Sequence, residues 1–194
     1  MANIGLTGRI ACGKSTVSKI FAEHGFQIID ADKVSHELHN RPDIAAGIRH
    51  AFGDSVFENG LVSRKRLGML VFSDKEKLKT LEGIMRPRIL AEIHKRLGQP
   101  GNNLVESFSI FGTEIEEWVD EVWVVDCTEE VQRERLAKRN PTFLDSDINA
   151  RIGAQPSRKD YWLRGDVVIN NSEGLERTRH LVEWEIKRIL YAED

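Results

Sequence analysis

The sequence predicts an α/β fold: a five-stranded parallel sheet with helices on both faces. Three observations lead to this prediction. Short apolar runs alternate with segments of helical periodicity, which is the order of elements in parallel sheets. The run at residues 122–125 is apolar throughout, as in a strand buried on both faces. After the first run, Val17, Ile20 and Phe21 recur at helical spacing up to Gly25, a typical residue just beyond a helix end.

The remaining elements follow in order along the chain. The helix after residue 128 has a clear start, because Thr128 is a favourable N-cap. The five strands are predicted at residues 4–6, 26–29, 104–105, 122–125 and 167–169, and the helices from Lys14 onward and at 33–39, 129–139 and about 174–191.

Two segments interrupt the alternation of strands and helices. Residues 43–97 have helical periodicity without a strand, and we interpret them as a helical cap beside the site. Pro87 lies inside this periodic pattern, so a break or kink is expected there. Residues from about 140 to 165 are polar and basic, and we interpret them as a lid. Residues 1–194 are thus predicted to form a single domain with a cap and a lid.

Composition and charge argue against several classes of protein. The net charge is −3 and the pI about 6.1, which does not suggest a nucleic-acid surface. No apolar run is long enough to cross a bilayer, and the N-terminal residues do not resemble a signal peptide. The spacing of Cys12 and Cys127 favours two unpaired thiols in a reducing compartment. We therefore expect a cytoplasmic protein without nucleic-acid or membrane partners.

Residues 8–15 fit the pattern G-x-x-x-x-G-K-[ST] at every defined position. In such a loop the backbone N–H groups and the N-terminus of the following helix bind phosphate oxygens. Gly13 allows close approach of the backbone, Lys14 reaches the β- and γ-phosphates, and Ser15 offers its hydroxyl to Mg²⁺. The sequence thus predicts a site for Mg²⁺ and a nucleoside triphosphate. Its predicted residues are Gly8, Arg9, Ile10, Ala11, Cys12, Gly13, Lys14, Ser15 and Thr16.

Two aspartates, Asp30 and Asp32, follow the second predicted strand, at the sheet edge where α/β proteins bind ligands. For Asp30 we favour a helix cap or a place in the Mg²⁺ shell. For Asp32 we favour a catalytic role toward a hydroxyl nucleophile, with a helix cap as the alternative.

Basic residues crowd residues 133–139 and 151–164. Guanidinium groups stabilise the negative charge of a phosphoryl group in transfer, whereas most charge runs are solvated helix faces. Arg139, at the exit of its helix, is the strongest candidate for a role in catalysis. His36 and His39 are interpreted as surface residues rather than a metal pair.

Together these residues resemble the dephospho-coenzyme A kinase family over nearly the whole chain. The order and spacing of the matching segments is more specific than any one of them. The resemblance is carried by residues 4–8 and 13–17, by 29–32, by Phe52, Gly53, Arg64, Leu67, Val71, Phe72, Leu81 and Glu82, by Gln132, Arg135 and Arg139, and by Arg151, Gln155 and 166–171.

The resemblance implies a P-loop kinase fold and ATP-dependent phosphorylation of the ribose 3′-hydroxyl of dephospho-CoA, with Mg²⁺. It implies that Asp32 is the general base or orienting group, and that Lys14 and Arg139 stabilise the moving phosphoryl group. Asn171 would lie near the adenine of ATP. Thr7, Asp32, Arg64 and Arg86 would contact the acceptor, and a monomer is expected.

The chain departs from the family pattern at several positions, and two of them, Arg9 and Cys12, lie inside the phosphate loop. We favour a solvent-facing Arg9 over one that binds phosphate. The other departures are Arg86, residues 108–112 and Tyr161. They leave two alternatives open: a kinase of another small acceptor such as a nucleoside monophosphate, and a nucleotide-binding protein without turnover.

Overall fold

A computed structural model describes residues 1–191. Their contacts divide the chain into two units. The first consists of Met1–Ile29 and the described chain from Gln99 onward, and the second is Asp30–Gly98. The second unit contains the predicted cap and begins 13 residues before it, at the end of a strand. That the chain forms one domain with a cap and a lid stays a prediction.

A parallel sheet forms the centre of the first unit. Its strand order is β2-β5-β1-β6-β7, with β1 paired in parallel to β5 and β6, and β6 paired in parallel to β7. This confirms the five predicted strands. The described strands are β1 (Asn3–Thr7), β2 (Gln27–Asp30), β3 (Phe57–Glu58), β4 (Leu61–Val62), β5 (Asn103–Glu106), β6 (Glu121–Asp126) and β7 (Val167–Asn170).

Helices α1 and α6 to α10 belong to the first unit with the sheet, and α2 to α5 belong to the second unit. The helix after Thr128 has its predicted bounds, because the Thr128 side chain accepts a hydrogen bond from the N–H of Val131. The described helices are α1 (Lys14–Glu23), α2 (Ala31–Leu38), α3 (Pro42–Phe52), α4 (Arg64–Val71), α5 (Lys75–Leu97), α6 (Glu114–Trp118), α7 (Glu129–Arg139), α8 (Asp145–Gly153), α9 (Arg158–Trp162) and α10 (Leu175–Tyr191).

The main core of the first unit lies between the sheet and the pair α1 and α10. Phe21 of α1 meets Trp123 of β6 and Phe26 edge to face, with ring centroids 4.9 and 4.8 Å apart. Val182 and Ile186 of α10 are buried in the same cluster. This packing holds α1, and therefore the loop before it, in a defined place on the sheet.

The second unit contains a small β-hairpin that the sequence analysis did not predict. Strands β3 and β4 pair in antiparallel register around Asn59 and Gly60, which have φ angles of 51° and 80°. Asn-Gly with two positive φ angles is the favoured two-residue hairpin turn. The Asn-Gly pair was visible in the sequence, but strands of two residues are too short to show an alternating pattern of apolar and polar residues.

A break or kink was expected at Pro87; helix α5 continues through this residue without a break, and the kink stays a prediction. A proline inside a helix removes one backbone hydrogen bond and crowds the preceding turn. Met85 and Ile93 are buried on either side of Pro87, and their burial offsets this local cost. Over the described chain, none of the helices is long and apolar enough to span a membrane.

Candidate active site

The predicted phosphate loop connects the end of β1 to the start of α1. Gly8 has a φ of 152°, and a Cβ placed on it would overlap the carbonyl oxygen of Val125 in β6. Ala11, at φ 60°, is one of the described non-glycine residues with positive φ. The loop therefore passes directly against β6 and turns through conformations that few side chains permit.

The N-terminus of α1 has the features of an anion site. Its N-cap is Gly13, at φ 98°, so no side chain caps the helix, and the first turn contains no acidic residue. The ammonium of Lys14 donates to the carbonyl oxygen of Gly8 over 2.9 Å, which places a positive charge over the loop. Ser15 is exposed beside it, and its hydroxyl is an oxygen donor of the kind that Mg²⁺ accepts alongside nucleotide phosphates. These groups fit a magnesium-bound polyphosphate.

Two side chains hold the carbonyl side of the loop. Asn171 is buried, and its amide donates to the carbonyl oxygen of Cys12 over 2.8 Å while accepting from the hydroxyl of Thr178. The guanidinium of Arg135 donates to the same Cys12 carbonyl at 3.2 Å and to the carbonyl of Asn171 at 2.8 Å. These hydrogen bonds fix the orientation of the peptide group that follows Cys12. Contact of Asn171 with adenine stays a prediction.

Arg135 contacts the loop, although in the sequence it stood out only as one of the residues that carry the family resemblance. Its guanidinium reaches the loop across 123 residues of sequence, from Arg135 to Cys12. Only the packing of α7 beside the loop brings the two together. A hydrophilic helix face rich in arginine gave no sign of which side chain would turn inward.

Both backbone polar groups of Ile10 are hydrogen-bonded to glutamine side chains. Its N–H donates to Gln155 over 2.8 Å, and its carbonyl oxygen accepts from the buried Gln132 over 2.7 Å. Arg9 is half-buried, not solvent-facing as favoured above: its guanidinium donates to the carbonyl of Ile152 at the end of α8. The Arg9 Nε atom is buried and has no hydrogen-bond partner among the described residues. Helices α7 and α8 therefore enclose this half of the loop.

An ion pair joins α9 to the end of β6. Asp126 is 3% exposed and accepts three hydrogen bonds from the guanidinium of Arg158, at 2.6 to 3.0 Å. The Asp126 carboxylate raises the pKa of Arg158, so the cation persists at any physiological pH. Arg158 also lies over the ring of Trp162, 4.5 Å from its centroid. The basic segment after α8 is thus anchored to the sheet next to the loop.

A cavity of about 410 Å³ lies between the segment after β5 and the segment from α8 to α9. Phe111 and Tyr161 meet edge to face in its wall, and Arg164 lies 4.4 Å over the Phe111 ring. Burial raises the pKa of the Tyr161 phenol, which therefore stays neutral. The lining residues are Phe108, Ser109, Ile110, Phe111, Ala154, Gln155, Pro156, Asp160, Tyr161 and Arg164.

This cavity borders the phosphate loop. Gln155 in its wall is the partner of Ile10, and Thr7, which precedes Gly8, donates to the carbonyl oxygen of Phe108 over 3.3 Å. Much of its lining is formed by residues 108–111 and Tyr161, where the sequence departs from the family pattern. A molecule in the cavity would therefore lie beside the phosphate loop.

The two aspartates lie at the start of the second unit. Asp30 ends β2 and caps α2, accepting from the N–H groups of Asp32 at 3.0 Å and Lys33 at 3.1 Å. The expected cap role of Asp30 is confirmed. Asp32 is exposed in the first turn of α2.

The other predicted site residues are exposed. Arg64 begins α4 and Arg86 lies within α5, both exposed in the second unit. Arg139 is the exposed last residue of α7 in the first unit. The structure thus brings Asn171 to residues 8–16, while the roles of Asp32, Arg64, Arg86 and Arg139 stay predictions.

Of the two histidines predicted at the surface, His36 is exposed and His39 is not. His39 is half-buried and bonds through Nδ1 to the carbonyl oxygen of Ser35, and burial lowers its pKa. Across residues 1–191, no three His, Cys, Asp or Glu side chains are grouped so that they could hold a metal ion.

Exchanging Arg135 for lysine is expected to weaken ATP binding by about three- to tenfold. Lysine keeps the charge but loses the planar fork that bonds two carbonyl groups at once, at a cost of about 1 kcal/mol for this half-exposed side chain. Calorimetric titration of ATP measures the change. Arg133→Lys is the matched control, since Arg133 lies on the same helix and bonds Glu129. Equal affinities for the two variants would contradict the role of Arg135.

The parallel sheet, the glycine loop that leads from its central strand into α1, and the lysine and serine that begin this helix define a P-loop kinase. A sequence model of the dephospho-CoA kinase family (CoaE) matches residues 2–177. The chain belongs to this family.

Individual relatives agree with the family match. A dephospho-CoA kinase of Carboxydothermus hydrogenoformans is 38% identical over 186 residues, covering 92% of this chain and 90% of the relative. One of Staphylococcus aureus is 40% identical over 174 residues, covering 87% and 84%. Among solved structures, the dephospho-CoA kinase from Campylobacter jejuni matches 97% of each chain, with 25% identity and a TM-score of 0.67.

Proposed function

We propose that this protein transfers the γ-phosphoryl group of ATP to the ribose 3′-hydroxyl of dephospho-CoA. One observation supports it above the others. The backbone of residues 8–13 is held by Asn171, Arg135, Gln132 and Gln155 in a chain of the dephospho-CoA kinase family. Such a pre-set loop binds phosphates without first having to order itself.

The loop and α1 hold the nucleotide in this proposal. Backbone N–H groups and the positive end of α1 bind the phosphate oxygens, and Lys14 turns from the carbonyl of Gly8 to the β- and γ-phosphates. Mg²⁺ would be held by Ser15 together with the nucleotide, and when bound it neutralises phosphate charge. Phosphoryl transfer then depends chiefly on positioning and charge stabilisation.

Asp32 acts on the acceptor. One carboxylate oxygen accepts the proton of the 3′-hydroxyl as the hydroxyl oxygen attacks the γ-phosphorus and the bond to the β-γ bridging oxygen breaks. Arg139 neutralises negative charge on the phosphoryl group during its transfer. Thr7, Arg64 and Arg86 contact the acceptor, and residues 140–165 close as a lid that excludes water.

The cavity beside the loop is compatible with a second class of acceptor. Its walls contain Phe108, Phe111 and Tyr161, which replace residues of the family pattern. A flat aromatic base between such rings is compatible with dephospho-CoA, whose adenine adjoins the reacting ribose, and with a nucleoside monophosphate. We further propose that the protein acts as a monomer in the cytoplasm.

Incubation with Mg·ATP and single acceptors tests the proposal. We expect ADP release that depends on dephospho-CoA, and a product that carries a 3′-phosphate by ³¹P NMR. A panel of nucleoside monophosphates at equal concentration provides the comparison. Turnover with a monophosphate alone would refute the proposed acceptor. Binding of ATP with no turnover on any acceptor would instead indicate a nucleotide-binding protein without kinase activity.

A further inference from the structure

The phosphate loop contains one half of a close thiol pair. Cys12 lies in the loop and Cys127 directly follows β6, 115 residues further along the chain. Their sulfur atoms are 3.0 Å apart, and each residue is 1% exposed. A disulfide bond is about 2.05 Å long, so the sulfurs need to approach by only about 1 Å to bond. The sequence predicted two unpaired thiols and gave no sign of this contact.

The surroundings of the pair favour one cysteine as the nucleophile. The thiol of Cys12 stabilises a thiolate on Cys127 and lowers the pKa of Cys127, an effect to which the guanidinium groups of Arg135 and Arg158 add. The same interaction and burial raise the pKa of Cys12. Thiolates, not thiols, attack oxidants, so Cys127 reacts first and Cys12 is positioned to attack it next.

We propose that Cys12 and Cys127 are a redox modification site, in which a peroxide joins them in a disulfide that weakens ATP binding by the phosphate loop. The Cys127 thiolate attacks one oxygen of hydrogen peroxide and forms a sulfenic acid, while the O–O bond breaks and hydroxide leaves. The Cys12 sulfur then attacks the Cys127 sulfur, and the hydroxyl group departs as water with the Cys12 proton. Two thiols and one peroxide thus give one disulfide and two waters.

A small oxidant suits this site. Both sulfurs lie in the core cluster with Val17, Trp123 and Val125, where bulky disulfides have no access. Hydrogen peroxide is close to water in size. Thiol–disulfide exchange with a dithiol reductant reverses the reaction.

The disulfide affects the loop through the backbone of Cys12. The Cys12 carbonyl is the acceptor for both Asn171 and Arg135, and Gly13 beside it begins α1. Drawing the Cys12 sulfur toward β6 moves these peptide groups away from the positions that bind phosphate. Ala11 is already at a positive φ, which leaves this segment little freedom to compensate. Displacement of this order at a pre-set site costs roughly tenfold or more in binding.

The test compares reduced and oxidised protein. Wild type is treated with hydrogen peroxide and then analysed by thiol counting, by intact mass and by peptide mapping without reductant. We expect loss of two thiols and 2 hydrogens per chain, a peptide that joins Cys12 to Cys127, and an ATP Kd raised at least about tenfold. Dithiothreitol should restore both the thiols and the affinity.

Cys127→Ala is the control, because it removes the second thiol while Asn171 and Arg135 still hold the Cys12 carbonyl. Under reducing conditions its ATP Kd should equal that of wild type, and peroxide should leave this Kd unchanged. Retention of both thiols in peroxide-treated wild type, or an oxidised wild type with an unchanged Kd, would overturn the proposal. It rests on the ATP binding of the proposed function but not on the acceptor. The Kd of the reduced protein therefore separates a failure of this proposal from a failure of the proposed function.

Discussion

Gly8→Ala is expected to weaken ATP binding by about 100-fold and to lower the stability of the protein. The added Cβ would overlap the carbonyl oxygen of Val125, which belongs to a central strand and cannot move freely. Together with the unfavourable φ of 152°, this overpacking costs about 1–3 kcal/mol, or a fall of roughly 3–10 °C in Tm for a chain of this size. If the loop shifts instead, ATP affinity falls by about 100-fold, because the phosphate-binding groups lose their positions.

Thermal unfolding and calorimetric titration of ATP measure the two effects. Gly25→Ala is the matched control: Gly25 also has a positive φ, of 82°, but no atom lies within 4 Å of an added Cβ. This control should lose about 1 kcal/mol of stability and keep the ATP affinity of wild type. A Gly8→Ala protein that binds ATP as well as Gly25→Ala would show that the loop does not depend on its contact with β6.

Asp32→Asn is expected to lower kcat by about 100- to 10,000-fold while leaving the Kd for ATP unchanged. Asparagine has nearly the same shape but does not accept the proton of the acceptor hydroxyl, and this corresponds to about 3–5 kcal/mol of transition-state stabilisation. The fold should be preserved, because Asp32 is exposed and α2 is capped by Asp30. Steady-state ADP release with dephospho-CoA and a separate ATP titration give the two quantities.

Glu37→Gln is a suitable control for the loss of one negative charge on the same helix. Glu37 is exposed on α2, and its partner Arg96 keeps a second carboxylate, Glu92. We expect kcat within about twofold of wild type, since exposed ion pairs contribute little. If Asp32→Asn turned over as fast as Glu37→Gln, Asp32 would have no role in proton transfer.

Local patterns of the sequence were enough to predict the sheet and the loop. Strands buried on both faces are continuous apolar runs, and the glycine, lysine and serine positions of residues 8–15 are required by phosphate geometry itself. Thr128 and Asp30 cap helices as expected, because capping involves residues only two or three positions apart. Such features depend only on residues that are close together in the sequence.

The second unit was predicted less well. The hairpin at residues 57–62 was missed because its strands are too short to alternate, although Asn59-Gly60 is a strong turn pair. Pro87 was expected to break or kink a helix that continues past it, since buried neighbours outweigh one lost hydrogen bond. Tertiary packing decided the course of the helix against the local propensity of proline.

The sequence by itself determined that the chain has a parallel sheet and a phosphate loop, since both follow from the types of neighbouring residues. Only the tertiary structure decided what holds that loop. Asn171, Arg135, Gln132 and Gln155 reach it across more than 120 residues, and Cys127 lies against Cys12 in the same way. Their side chains are unremarkable in the sequence, because a hydrogen bond or a thiol contact depends on a few ångströms that only the packing of β6, β7 and α7 around the loop sets.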